Sequence, residues 1–269
     1  MHISIFQPHP VLAPHIEKYV LLEFAEDETA ISKLVPRSCP AIFFMSGTDG
    51  LLDLSLGDCP RLLKKEQIYI GGLSNQPGGV HISGPITLLM VMLKVQALSL
   101  FFKDKASLLA NKIFNIGETD RELQLLNEQM WCHNIGTDHS IRLVDNYFLG
   151  FVGQSAAPPL IIRALNTIQA RQGFVSVNEI ADKSFSCNRN LSRRFQEHIG
   201  VSPKKYSTMI RFNAAMEYYI KIPNKNLDAV LQRFPFYDHS HLNKEFFKFM
   251  GNNPSSFNKQ DLSINKLIL

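Results

Sequence analysis

The chain has 269 residues, 45% of them apolar and 19% charged, with a formal net charge of +4. This composition belongs to a folding globular chain and excludes disordered, collagenous and coiled-coil classes, while a prior of about 100 to 200 residues per domain suggests two domains. From Leu160 onward Lys and Arg outnumber Asp and Glu by 16 to 8, against 12 to 16 in the remainder, so the C-terminal part is expected to meet a polyanion.

Residues 1–10 carry neither a basic n-region nor a continuous apolar run, so no secretion signal is expected. Short apolar runs then recur between Gly, Pro, Ser and Asp at 41–45, 51–56, 67–70 and 86–95, which predicts a compact antiparallel sandwich or barrel. The most hydrophobic stretch, 86–102, is broken by Lys94 and Gln96 and is shorter than the roughly 20 apolar residues of a membrane span, so it reads as core. Met45, Met90 and Met92 could line an apolar pocket, but core filling is the better use of them. Cys39, Cys59, Cys132 and Cys187 lie 20, 73 and 55 residues apart; with no CxxC pair to hold zinc, they point to a reducing compartment, the cytoplasm.

From about 118 to 151 the period becomes helical, with Leu123, Leu126 and Met130 on one face, Ile141, Val144, Tyr147 and Phe151 on another, and Gly136 as the break. Small residues and a Pro pair at 150–159 predict a linker, giving domains 1–157 and 158–269. Beyond it the signals are almost wholly helical. A helix over 160–172 closes at Gly173, and Ser176 with Glu179 forms a capping box for a short helix. A helix from Asn188 stops at Gly200, and Ser202 and Pro203 start a long helix through Tyr219.

This pattern repeats. Leu191, Phe195, Gly200, Pro203 and Tyr206 recur, each offset by 51 residues, as Leu242, Phe246, Gly251, Pro254 and Phe257. A short helix precedes each copy, over 177–184 and 227–234, so each copy reads as a helix-turn-helix and the pair as a tandem DNA reader. Burying Leu and Phe at i and i+4 leaves the other faces free for a major groove. The candidate DNA contacts are Asn188, Arg189, Ser192, Arg193 and Arg194 in the first copy and His239, Ser240, Asn243 and Lys244 in the second, with Lys204, Lys205 and Arg211 on phosphates.

These residues resemble the AraC/XylS family of bacterial transcription regulators: Glu179-Ile-Ala181, Asn188 to Phe195, Gly200 to Tyr206, Arg211 to Ala215, and Phe236 to Phe246 with Gly251 and Pro254. The N-terminal half resembles, more weakly, a sensor domain of that family through Phe6-Gln-Pro8, Leu12, Pro14, Ile16, Tyr19, Val35-Pro36 and Ile42-Phe-Phe44. The resemblance implies an α+β chain: a cupin-like antiparallel β domain with linker helices, then an all-α domain with two helix-turn-helix units. It also implies double-stranded DNA and RNA polymerase as partners, and an N-terminal half that senses a small-molecule effector or holds a homodimer. The sequence departs from the family where Gly usually stands in each turn. Phe185 lies four residues after Ala181, and the second copy has Leu231 and Pro235; because Phe resists φ > 0 and Pro cannot adopt it, both turns are expected to differ. Cys187 replaces the usual Ser cap, leaving that work to Ser186 or to a weak thiol acceptor.

Enzyme signatures are missing: no GxSxG, GxxxxGK[ST], HExxH or GxGxxG occurs, so no catalytic residue and no cofactor is expected. His239 and His241 are two residues apart and would point from different faces of a helix, and His81 is essentially alone in the β region, so no metal is expected. Two alternatives stay open beside the regulator: a ligand-binding β domain whose helical half contacts protein, and a metal-dependent cupin enzyme.

Overall fold

The computed structural model describes residues 1–254 except 37, 48–49, 57–58, 65, 103–105, 119, 132–135, 154–156 and 223–225. Part of the expected linker at 150–159, and Phe257 of the second repeat, lie outside the described residues.

The N-terminal half is built from β1 (His2–Phe6), β2 (Ile16–Phe24), β3 (Thr29–Leu34), β4 (Ala41–Ser46), β5 (Leu51–Leu56), β6 (Cys59–Leu63), β7 (Ile68–Gly71), β8 (Gly78–Ser83), β9 (Ile86–Leu93) and β10 (Ile113–Asn115). They pair antiparallel in two sheets, ordered β1-β2-β9-β4-β7-β10 and β3-β8-β5-β6. The unbroken apolar runs of β4 and β9 follow from their central places in the larger sheet, which is covered on both faces. Ala41, Phe43, Met45, Leu88 and Met92 point between the sheets, while Ile42, Phe44, Leu89 and Val91 point under helices. An alternating pattern suffices only where one face meets water. Met45 and Met92 are fully buried in the inter-sheet core, and Met90 packs at its edge.

The covering helices are α1 (Leu98–Phe101), α2 (Arg121–Met130) and α3 (Thr137–Leu149). Asp120 caps α2, accepting from the Leu123 N–H at 2.9 Å. Leu123, Leu126 and Met130 are buried as expected, whereas the buried stripe of α3 is Ile141, Val144 and Phe148, with Phe151 against Phe101 and Tyr147 against Phe151 at its edge. The Tyr19 hydroxyl, on β2, donates to Asp145 Oδ1 of α3 at 2.7 Å, which fixes α3 on the sheet.

The C-terminal half contains α4 (Pro159–Ala170), α5 (Val177–Lys183), α6 (Asn188–Ile199), α7 (Pro203–Lys221), α8 (Leu227–Arg233) and α9 (His239–Met250). Buried residues ring much of α7, from Tyr206 and Met209 to Met216 and Tyr219, because it is wrapped by α4, α6, α8 and the β domain. A helix apolar on several faces belongs in a core. Val35, Leu73 and Val95 of the β domain join this helical core, and Asn213 Nδ2 of α7 donates to the Pro36 carbonyl at 3.0 Å and to Ser38 Oγ at 3.1 Å. Among the described residues no helix is long and apolar enough to cross a membrane, and no group of three His, Cys, Asp or Glu is arranged to hold a metal. His81 faces Ile31 and Asp53 across neighbouring strands.

Candidate DNA-binding surface

Each repeat copy is an α-turn-α unit anchored by the same residues. Leu191 and Phe195 of α6, and Leu242 and Phe246 of α9, are at most 1% exposed, and both helices end on a left-handed glycine, Gly200 at φ +91° and Gly251 at φ +67°. The turns solve one problem in two ways. In the first, Phe185 itself adopts φ +53°. The Ser186 N–H bonds to the Ala181 carbonyl at 3.0 Å and the Phe185 N–H to the Asp182 carbonyl at 3.1 Å, the two bonds of a Schellman turn. The left-handed turn therefore survives without glycine, contrary to the expectation, at a cost of about 1 to 3 kcal/mol for the strained residue. In the second, Phe234 stays extended at φ −121°, and the Phe236 N–H bonds to the Phe234 carbonyl at 2.8 Å. That i to i+2 bond makes a γ-turn centred on Pro235, which suits proline's fixed φ.

Caps differ as well. Ser176 Oγ accepts from the Glu179 N–H at 3.1 Å, but the Glu179 carboxylate pairs with Arg171 rather than closing the box. Cys187 makes no side-chain cap, and Ser186 Oγ turns to the Cys187 carbonyl and to Asn190 Nδ2. Asp238 caps α9, accepting from the His241 N–H at 2.7 Å.

On α6, Asn188, Arg189, Arg193 and Arg194 are exposed and Ser192 is half-buried. Asn188 Nδ2 donates to Asn178 Oδ1 of α5 at 2.6 Å, tying the start of α6 to its partner helix. Arg193 and Arg194 both lean on Glu197, at 2.9 and 3.4 Å. Slight desolvation works against the Glu197 carboxylate, but the hydrogen bond and charge of Arg193, with Arg194 and His198, hold it below the usual carboxylate range. His198 is shifted down, by its own desolvation before any charge.

On α9, His239, Ser240 and Lys244 are exposed and Asn243 is half-buried. His239 Nε2 lies 2.7 Å from Asp228 Oδ1 of α8, a link between helices that spacing alone does not reveal. Lys204 and Lys205 are exposed in the first turn of α7, which Ser202 Oγ caps at 3.3 Å, so two ammonium groups stand at the positive end of a helix dipole.

Arg211 is the exception. Its guanidinium bonds both carboxylate oxygens of Glu245 on α9 and lies over Phe174 and Phe236, 5.6 and 5.7 Å from the ring centroids. Its side chain is 22% exposed and that of Glu245 9%. Nε and Nη2 are engaged in holding α9 against α7, so the phosphate contact expected of Arg211 falls to its remaining N–H donors. The sequence showed its charge but not its buried partner, 34 residues on.

Comparison with known proteins matches the geometry. A family model described as a helix-turn-helix domain matches residues 180–260, and one described as a domain of unknown function (DUF6597) matches residues 4–115. An uncharacterized HTH-type transcriptional regulator of Haemophilus influenzae is 22% identical over 152 residues, so the alignment spans about half of each chain, 51%. Among solved structures, an apo point variant of ToxT from Vibrio cholerae superposes with a TM-score of 0.50 at 11% identity, covering 88% of this chain and 95% of that one, and shares the fold. ToxT from Vibrio cholerae O395 gives 0.48 at 12% identity over the same shares. The chain thus has an N-terminal antiparallel β domain followed by two helix-turn-helix units, and its residues 180–260 match the helix-turn-helix domain model.

Proposed function

We propose that the chain is a sequence-specific DNA-binding transcriptional regulator whose α6 and α9 enter successive major grooves on one face of duplex DNA, about 34 Å apart. The observation that carries this reading is the repeated unit: two helices anchored through a Leu and a Phe 51 positions apart, each leaving a polar face free. Asn188, Arg189, Ser192 and Arg193 would read bases from α6, and His239, Ser240, Asn243 and Lys244 from α9. An arginine can bond guanine O6 and N7 together, which discriminates by about 1 to 3 kcal/mol. Arg194, Lys204 and Lys205 would hold phosphates, while Arg211 would act one step back by orienting α9. Residues 158–269 would form the DNA-binding unit and 1–157 the regulatory one, acting through the packing of Val35, Leu73 and Val95 on the helical core. A small-molecule effector, a homodimer contact and RNA polymerase, all in the bacterial cytoplasm, complete this reading; it requires no enzymatic step.

The test is selection of random duplex DNA on the purified full chain, with enriched sites re-measured across a salt series. A bipartite motif with half-sites about one helical turn apart is the expected result. Enrichment of nothing, with steep salt dependence, would leave only counterion release and overturn the reading.

A further inference from the structure

Among the described residues of the helical half, three aromatic rings stand far out in water: Phe185 is 85% exposed, Tyr237 92% and Phe247 62%. Two of them lie in the turns that lead into α6 and α9, one position apart in the repeat, the counterpart of Phe185 being the buried Phe236. Phe185 sits in the turn before α6, two residues ahead of its N-cap Cys187, and Tyr237 sits immediately before Asp238, the N-cap of α9. The ring at Phe185 is doubly costly, since a bulky residue resists the left-handed backbone it holds and its apolar surface is left in water. A strained, exposed residue is a sign of use elsewhere than in folding. The guanidinium of Arg163, on α4, lies over this ring at 5.4 Å and donates to the Ser184 carbonyl at 3.4 Å, so the turn presents a cation and a ring as one unit. Lys183 and Arg189 are exposed on either side, and Tyr237 is followed by His239 and Lys244. Phe185 lies among Arg163, Lys183 and Arg189, whereas Tyr237 has the Asp238 carboxylate beside it and Lys244 further along α9; apolar rings near such cations fit a partner that is both polyanionic and partly apolar, as the sugar-phosphate edge of a duplex is.

We propose that Phe185 and Tyr237 are DNA contacts, each ring resting on deoxyribose at the edge of the groove its neighbouring helix enters, with Arg163 held over the Phe185 ring to reach the adjoining phosphate. This rests on the reading of α6 and α9 as groove-entering helices and extends it to the two turns. Sugars carry no sequence information, so these contacts strengthen binding to every duplex alike. The Tyr237 hydroxyl can in addition donate to a phosphate oxygen.

The experiment measures binding of the full chain to an enriched duplex and to an unrelated duplex, for wild type, Phe185→Gly, Tyr237→Ala, Tyr237→Phe and Arg163→Ala, with Phe247→Ala as control. Gly relieves the left-handed backbone at 185, so that variant loses the ring without the strain that unfolds proteins, and thermal melts confirm that each variant is folded. Phe185→Gly and Tyr237→Ala are expected to weaken binding several-fold to tenfold on both duplexes by the same factor, with an unchanged salt slope. Tyr237→Phe should retain most of the affinity, Phe247→Ala all of it, and Arg163→Ala should lower the salt slope by about one ion. Wild-type affinity for both duplexes in Phe185→Gly and Tyr237→Ala overturns the proposal. So does intact DNA binding with lost transcription in vitro, which would assign the rings to a protein partner. A wild type that selects no duplex at all fails the earlier reading first and is recognised before any variant is made.

Discussion

Glu197 is placed to restrain the two arginines that point most directly out of α6. Both ion pairs are exposed and screened by solvent, so a phosphate or a guanine can displace them. Glu197→Gln should therefore tighten binding to unrelated DNA a few-fold and steepen its salt slope, because two cations are freed and one like-charged repulsion is lost. Falling pH should act in the same direction, with the sign set by the depressed carboxylate. The pair with Arg193 is intact above the usual Glu range and is lost only as pH falls through the lowered value. Anisotropy titrations at several pH values would show whether non-specific affinity rises there; a flat profile would mean that Glu197 is no competitor. Arg193→Ala divides the roles: a loss of about 1 to 3 kcal/mol at the enriched site alone marks base reading, and an equal loss on all sequences marks phosphate. The pairing of Arg193 with Glu197, four residues on along one helix, is a local contact, although the sequence pointed only to DNA for Arg193. The His239 to Asp228 contact is not local, since it joins separate helices whose approach is set by the γ-turn at Pro235.

At the scale of elements, the caps and stops of α5, α6 and α7 could be read from Ser176, Gly200, Ser202 and Pro203, because capping is a local bargain between a side chain and the first free N–H groups. The turns could not be fully read. A Phe in the glycine position of the first suggested a different backbone, yet the two Schellman bonds, from the Ser186 N–H to Ala181 and from the Phe185 N–H to Asp182, hold it at φ +53°. The second unit lacks such a turn and is steadied by Arg211 instead, whose guanidinium joins α7, α9 and the rings of Phe174 and Phe236. Arg211→Ala leaves Glu245, in a nearly closed site, with only His241 at 3.7 Å. Removing one partner of a buried pair costs about 3 to 5 kcal/mol, and the residual exposure of Arg211 brings the expected loss to about 2 to 4. The double change Arg211→Met with Glu245→Leu should recover most of that, measured by urea unfolding. In site selection, Arg211→Ala should lose the half-motif read by α9 and retain the one read by α6. Loss of both would show instead that the whole helical unit depends on this node.

Over the whole molecule the helical core is completed by residues of the β domain, which a sequence cut at a Pro pair could not anticipate. Val35, Leu73 and Val95 complete the helical core from the β domain, and α6 rests its last turn on the 3-10 turn Ala106–Leu108. Gly200 makes that approach possible, since a Cβ there would lie 2.5 Å from the Ala106 carbonyl oxygen. The corresponding glycine of the second unit, Gly251, has only ordinary contacts, the nearest at 3.5 Å to Pro77. Both residues hold positive φ, so substituting Ala imposes the same backbone strain, about 1 to 2 kcal/mol, at each. The excess penalty of Gly200→Ala over Gly251→Ala then isolates the domain contact. Melting temperatures should fall further in Gly200→Ala, by about 2 to 4 °C for each additional kcal/mol in a chain of this size. Because the displaced element is α6, the helix proposed to read bases, Gly200→Ala should also change affinity for the enriched duplex, whereas Phe44→Ala, which opens the sheet core under α2 and α3, should lower stability by about 3 to 5 kcal/mol with little effect on DNA in the folded fraction. Equal melting shifts for the two glycine variants would mean that α6 does not bear on the β domain in solution, and the route by which a signal in the β sheets reaches the groove would then have to run through α7 and its Asn213 anchor to Pro36 and Ser38.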